Sequence, residues 1–161
     1  MQNSKDSFYM ALRTRLTVAN PARIGLIRGA VRPGILVEEA EAPFSQIPAD
    51  VFILRWLGIG KDSELESQMM AADCEIYYQT MGTQVFGGLD RGRSLSEMDT
   101  ELLSLLTPPQ TPKLCYAVDP PVEMLTQVFW AEPTLGPAVA QRDKMSRSVR
   151  VKVYCYLEEG E

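Results

Sequence analysis

Histidine is absent from the 161 residues, and cysteine, aromatic residues and long apolar runs are scarce. Each shortage closes a route. Without histidine there is no imidazole base for a serine or cysteine triad and no imidazole ligand for zinc or iron. The three cysteines, Cys74, Cys115 and Cys155, are odd in number and widely spaced, with no CxxC pair. That pattern spells neither a disulfide framework nor a metal knuckle. Cys74 and Cys155 fall within apolar alternations, where a thiol behaves as a small hydrophobe. The expectation is buried free thiols in a reducing compartment. No stretch approaches the ~20 apolar residues of a membrane-crossing helix. The opening MQNSKDSFYMALRTRL also lacks the ~7–15-residue apolar core of a secretion signal. A cytosolic product with no membrane partner is expected.

Phosphate-binding and metal motifs are missing too. GIGKDS at 58–63 lacks the first glycine of a Walker loop, and Asp62 stands where Ser or Thr belongs. GGLDRGR does not fit G-x-G-x-x-G, no S-x-x-K sits in a fitting context, and no EF-hand spacing occurs. Acidic groups at Glu38, Glu39 and Glu41, and at Glu158, Glu159 and Glu161, read as a solvated strand end and a solvated tail. A carboxylate pair or an oxygen-ligand metal site is the competing reading there. The expectation is a protein that is not an enzyme, with no catalytic residue, cofactor or metal.

What is present is ordinary globular material: 45% hydrophobic residues and a net charge of −5. This length fits one domain over 1–161, with a core large enough to need no staples. SKDSFYMALRTRLTVA carries Phe8, Leu12 and Leu16 at steps of four, the spacing of one helix face. Ser4 or Asp6 is the expected cap, and Asn20-Pro21 the stop. Residues 21–33 read equally as a short extended piece or a loop. ILVEEAEA reads as a strand turning acidic as it leaves the core. Pro43 and Pro48 bound a loop, and DVFILRWLG is the candidate central strand. GIGKDSELESQMM is a polar connection with room for one helical turn. AADCEIYYQT alternates Cys74, Ile76 and Tyr78 against Glu75, Tyr77 and Gln79. After the glycine-rich MGTQVFGGLDRGR comes RSLSEMDTELLSLL, a helix with Ser94 and Glu97 as a capping box. Its acids Glu97, Asp99 and Glu101 then sit near the positive end of its dipole. Leu95, Met98, Leu102, Leu105 and Leu106 form its apolar stripe.

Five prolines mark residues 107–125 as an arm, in which Leu114, Tyr116 and Val118 alternate like an edge strand. TQVFWAE reads as another strand, and 136–150 as a basic hairpin. In the closing RSVRVKVYCYLEEGE, Val149, Val151, Val153, Cys155 and Leu157 take alternate places. Helices set apart from hairpin-compatible strands imply an α+β fold. Its sheet is mostly antiparallel or mixed, with two main helices packed on one face.

Arg142, Lys144, Arg147, Arg150 and Lys152 cluster in that closing region against Asp143 alone. Such a run suits phosphates, or an acidic partner, or a solvated hairpin whose cations keep a strand from mispairing. Tyr154 and Tyr156, each with an apolar body and a polar tip, suit an interface. With Glu38, Glu39 and Glu41, and Glu158, Glu159 and Glu161, as acidic edges, head-to-tail docking of identical subunits into a ring is a further possibility.

The order SFYMALRTRL, RPGILVEEAEA, DVFILRWLG, ADCEIYYQT, glycine-rich loop, RSLSEMDTELLSLL, proline-rich arm and RSVRVKVYCYLE resembles the phage tail-terminator (tail-completion) proteins and related head–tail connector ring proteins. The likeness covers most of the chain and lies in order, length and texture; the long proline-rich stretch departs from it. The resemblance implies a virion component, assembled in the host cytoplasm as a ring, commonly a hexamer, that ends tail-tube growth. Its partners would be copies of itself, the tail-tube protein and a head-connector protein, with DNA only as passing cargo. The alternative expectation is a small soluble binding or regulatory module acting as a monomer or dimer.

Overall fold

The computed structural model describes residues 1–41, 47–61 and 69–158. It opens with α1 (Gln2–Ala19), β1 (Ile24–Ile27), β2 (Ala30–Pro33) and β3 (Ile35–Val37). The long strands β4 (Phe52–Lys61) and β5 (Met69–Thr80) follow, then a 3-10 turn at Gln84–Phe86 and α2 (Arg91–Leu105). The chain continues through β6 (Gln110–Cys115), β7 (Val122–Trp130), β8 (Thr134–Leu135), β9 (Val139–Gln141) and β10 (Lys144–Tyr156). One 8-stranded sheet runs β3-β4-β5-β10-β7-β6, with β8 and β9 also paired to β10. All its pairings are antiparallel except β3 with β4. The fold is α+β with a mixed sheet, as the pattern of elements predicts.

β5 and β10 form the centre of the sheet, in register from Met145↔Thr80 to Tyr156↔Met69. Alternation then sorts their side chains. Val149, Val151, Val153 and Cys155 of β10 share one face with Cys74, Ile76 and Tyr78 of β5. Both helices pack there. Phe8, Leu12 and Leu16 of α1 join Leu95, Met98, Leu102 and Leu105 of α2 in the same core. Phe8 is its hub, edge-to-face with Trp56 at 5.9 Å and with Trp130 at 5.1 Å between ring centroids. Each such large side chain, fully buried, stabilises by about 1.5–3 kcal/mol before entropy.

Several expectations are corrected. α1 begins at Gln2, so Ser4 and Asp6 lie inside the helix; Ser4 is fully buried and Asp6 accepts a bond from Gln2 Nε2 at 2.8 Å. α2 begins at Arg91, ahead of Ser94, and has no side-chain cap. The S-x-x-E box is therefore not formed, and Glu97, Asp99 and Glu101 stand in mid-helix. The upstream Asp90 carboxylate serves the preceding loop instead, accepting bonds from Thr83 N at 2.9 Å and Thr83 Oγ1 at 2.7 Å. Residues 21–33 form a hairpin whose turn, Arg28-Gly29, has φ of 50° and 80°. Two positive values are what a tight type I′ turn demands. ILVEEAEA is a strand only over Ile35–Val37; Glu38–Glu41 turn away.

β4 is next to the sheet edge rather than central, with only three-residue β3 outside it. Its first half is buried on both faces because Leu36, Val51 and Ile53 form a second apolar cluster with Ile27 and Ile47. A bulge between Trp56 and Gly58 then carries it out into solvent. In the proline-rich arm, β6 is an edge strand that stops at Cys115, so Tyr116 and Val118 lie outside it. Its outer edge is sealed by α1: Leu114 N donates to Ser7 Oγ at 2.9 Å and Tyr116 N to Asn3 Oδ1 at 3.3 Å. Leu157 lies beyond the end of β10 and is exposed. The polar connection read in GIGKDSELESQMM is shorter than expected, since residues 58–61 belong to β4 and Met69 and Met70 to β5. Its remaining residues 62–68, the place of the expected helical turn, the loop around Pro43, and Glu159 and Glu161 fall outside the described residues. No helix among those described is long and apolar enough to cross a membrane.

Candidate functional site

The strand period divides the predicted interface residues. Arg150, Lys152, Tyr154 and Tyr156 project from the face of β10 that the helices leave uncovered; Arg147 projects from the other face, with the valines. There Arg147 Nε meets Asp99 Oδ1 of α2 at 2.9 Å, and Nη1 donates to the carbonyl oxygen of Gly136. The Tyr78 hydroxyl donates to the same Asp99 oxygen. Burial, then the Asp99 bond and charge, push the Tyr78 phenol well above the usual tyrosine range. A carboxylate between a guanidinium and a phenol makes a clamp joining α2 to β5 and β10. Its groups are engaged with one another, which leaves Arg147 little to offer a partner.

On the open face, charges alternate across the strands. Glu38, just after β3, takes a forked bond from Arg55 of β4, at 2.6 Å to Nε and 2.8 Å to Nη2. Arg55 Nη1 lies 3.6 Å from Glu75 of β5, and Glu75 is in register with Arg150 of β10. One step along, Asp73 faces Lys152. Opposite charges at facing strand positions contribute roughly 0.2–1 kcal/mol per pair. The arginine and lysine of the last strand therefore have acidic neighbours within the sheet. Beside them Asp73, Glu132, Thr134, Arg150, Lys152 and Tyr154 rim a shallow groove of about 420 Å³.

The expected acidic edge is mostly spent inside the molecule. Glu41 accepts the Tyr9 hydroxyl at 2.6 Å and Arg32 Nη1 at 3.2 Å, and Arg13 lies 3.9 Å away. Burial, then the Glu41 bond and charge, push the Tyr9 phenol up to about 12. Glu39 alone of the three is largely exposed, with Lys5 at 3.9 Å. The tail acid Glu158 is tied down as well. Its carboxylate accepts Leu125 N at 3.1 Å, Thr126 N at 2.9 Å and Thr126 Oγ1 at 2.5 Å, and is held below the usual carboxylate range chiefly by the threonine. It also neutralises Lys113, a fully buried cation whose Nζ donates to Tyr156 O at 2.9 Å and lies 3.9 Å from Glu158. A buried charge requires such partners.

Arg142 and Lys144 close the basic hairpin. Gln141 pairs with Lys144, leaving Arg142-Asp143 as a two-residue turn with Arg142 at φ 38°. Arg91 Nη1 of α2 donates to Arg142 O at 2.6 Å, which docks this turn onto the glycine-rich loop ahead of α2. That loop is the feature that residue-by-residue reading passed over as a mere connection. It holds Met81, Val85, Phe86 and Leu89 out into solvent, Leu89 at 91% exposure. Four apolar residues among four glycines and polar neighbours carry no periodicity, so only the folded loop shows that they point outward.

Burial raises the Cys74 thiol far above its ordinary range, which is the state of an unreactive core thiol. Cys155 is buried and Cys115 half-buried, and all three are free. Among the described residues no group of three or more Cys, Asp or Glu is placed to hold a metal ion. No protein-family model matches the chain, and no curated protein matches it in sequence.

Proposed function

We propose that this chain is a structural subunit of a phage or phage-like tail, forming a ring that ends the tail tube and joins it to the head. The reading starts from the resemblance in element order. The observation that carries it is a set of apolar side chains held out at the ends of the elements. They are Leu26 and Val31 on the first hairpin, Leu57 and Ile59 on outer β4, Val85, Phe86 and Leu89 before α2, and Leu125 near the start of β7. Single exposed hydrophobes are ordinary; groups on projecting turns mark contact surfaces. The outer edge of β4 from Trp56 to Lys61 adds support. No strand among the described residues pairs with it, and an open edge offers unpaired backbone groups to a neighbour.

In this reading the partners are copies of the chain in a ring, taken as a hexamer from the resemblance, together with the tail-tube and head-connector proteins. DNA passes through as cargo. The subunit is assembled in the host cytoplasm and stays in the virion, and its role is mechanical rather than catalytic. Native mass measurement and electron microscopy, of the protein alone and with purified tail tubes, test it. Rings seated on tube ends are expected; a monomer that ignores tubes at high concentration overturns it. The alternative, a monomeric or dimeric binding module, is favoured only by the open-face groove. It would be marked by saturable binding of a small charged ligand there.

A further inference from the structure

The exposed loop and an apolar groove lie at opposite ends of the same helix. The loop, 81–89, leads into the N-terminus of α2, while the groove surrounds its C-terminus. Fifteen residues of helix separate them, or ~22 Å at 1.5 Å per residue.

The loop is built rather than slack. Gly87 N donates to Gln84 O and Gly88 N to Thr83 O, both at 3.1 Å, and Asp90 holds Thr83 by two bonds. Gly82 and Gly88 sit at φ 72° and 78°; a Cβ on Gly82 would lie 2.5 Å from Asp90 Oδ1, and one on Gly88 2.8 Å from Met81 O. The sequence gives up side chains there so that the turn can close. The closed turn then exposes Val85 (86%), Phe86 (57%) and Leu89 (91%).

The groove measures about 440 Å³. Trp130 floors it, locked by its indole Nε1 bond to Leu106 O at 2.8 Å. Leu103, Leu135, Pro109 and Pro133 wall it, and among the described residues Glu132 is the one charged residue that lines it. The loop brings the opposite sign. Arg91, Arg93 and Arg142 outnumber Asp90 and Asp143 around it, and Asp90 is already bonded to Thr83.

We propose that the loop of one copy seats in this groove of a second copy, with Phe86 directed to Trp130 and the loop arginines beside Glu132. The inference rests on the self-assembly reading above and names its contact. Because knob and groove are different surfaces at opposite ends of α2, the contact is head-to-tail. Repeated, it closes a ring or extends a filament.

The test uses the full chain, alone and on tail tubes, with sedimentation or native mass as the readout. Phe86→Asp removes the knob and Leu103→Asp the groove wall; both residues are exposed, and circular dichroism checks that each variant folds. Each variant alone should associate at least about tenfold more weakly than the parent, as expected for an anchor residue. Mixed together they should form 1:1 pairs and stop, since each pair holds one intact knob and one intact groove at its contact. Arg93→Glu should weaken assembly, and Glu132→Arg in the same chain should restore it. A parent that assembles while both variants assemble equally well overturns the contact and leaves the ring reading standing. Folded variants whose mixture stays monomeric overturn the contact as well. A parent that stays monomeric even with tubes overturns both.

Discussion

Asp99 Oδ1 of α2 stands 2.9 Å from Arg147 Nε of β10. The same oxygen receives the phenol of Tyr78 from β5. One carboxylate thereby joins a helix to the two central strands, and Arg147 is withdrawn from the basic cluster to which its sequence neighbours assign it.

Removing the shared acceptor should be costly. Asp99→Ala strands a mostly buried guanidinium and a phenol, and is expected to lower unfolding free energy by about 2–4 kcal/mol. Urea denaturation measures it. Asp99→Leu combined with Arg147→Met, which removes both charges, should recover part of the loss; a change below ~0.5 kcal/mol in Asp99→Ala would mean that the clamp bears no weight.

Basic residues of the closing hairpin should separate into two groups. Arg142→Glu with Lys144→Glu alters exposed or half-exposed positions and should leave stability within about 0.5 kcal/mol while weakening assembly. Arg147→Glu places a second carboxylate against Asp99 and should reduce thermal stability outright. Equal melting curves for the two reversals would contradict the placement of Arg147 on the helix-covered face.

Stability should decline on the alkaline side. Tyr9 and Tyr78 keep their protons in the fold beyond the ordinary value of 10.0, with Tyr9 pushed up to about 12. The unfolded chain ionises first, so this contribution is complete below about pH 10 and is lost as pH rises through the folded values. Urea midpoints at about pH 8 and about pH 11 should differ less in Tyr9→Phe than in the parent. A Tyr9→Phe midpoint with undiminished alkaline slope would assign the loss to other groups.

Core packing around Phe8 gives the largest single effect. Phe8→Ala opens a void between Trp56 and Trp130 and should cost about 3–5 kcal/mol, a large part of the ~5–15 kcal/mol that domains possess. Chemical denaturation reads it directly. A cost below ~1.5 kcal/mol would show that the two indoles collapse into the gap.

Local periodicity carried most of the architecture. The two-residue alternation of β5 and β10 and the helical stripes of Phe8, Leu12 and Leu16 and of Leu95, Met98 and Leu102 are properties of neighbouring residues, so α+β layering was legible in the chain itself. The face taken by Arg147 was legible too, since it shares the parity of Val149; its identity as a cation hid it in a charge cluster. The β1–β2 hairpin escaped because its turn relies on Arg28, not a customary residue at positive φ. Partner choice was beyond reach. Nothing near Glu38, Glu41, Asp99 or Glu158 in sequence says that Arg55, Tyr9, Arg147 and Lys113 will meet them, because ion pairing depends on distances set only when the sheet closes. Sequence by itself determined which residues must leave water; the tertiary structure decided which charges were left facing it, since burial is dictated by composition and period, whereas pairing is dictated by three-dimensional proximity.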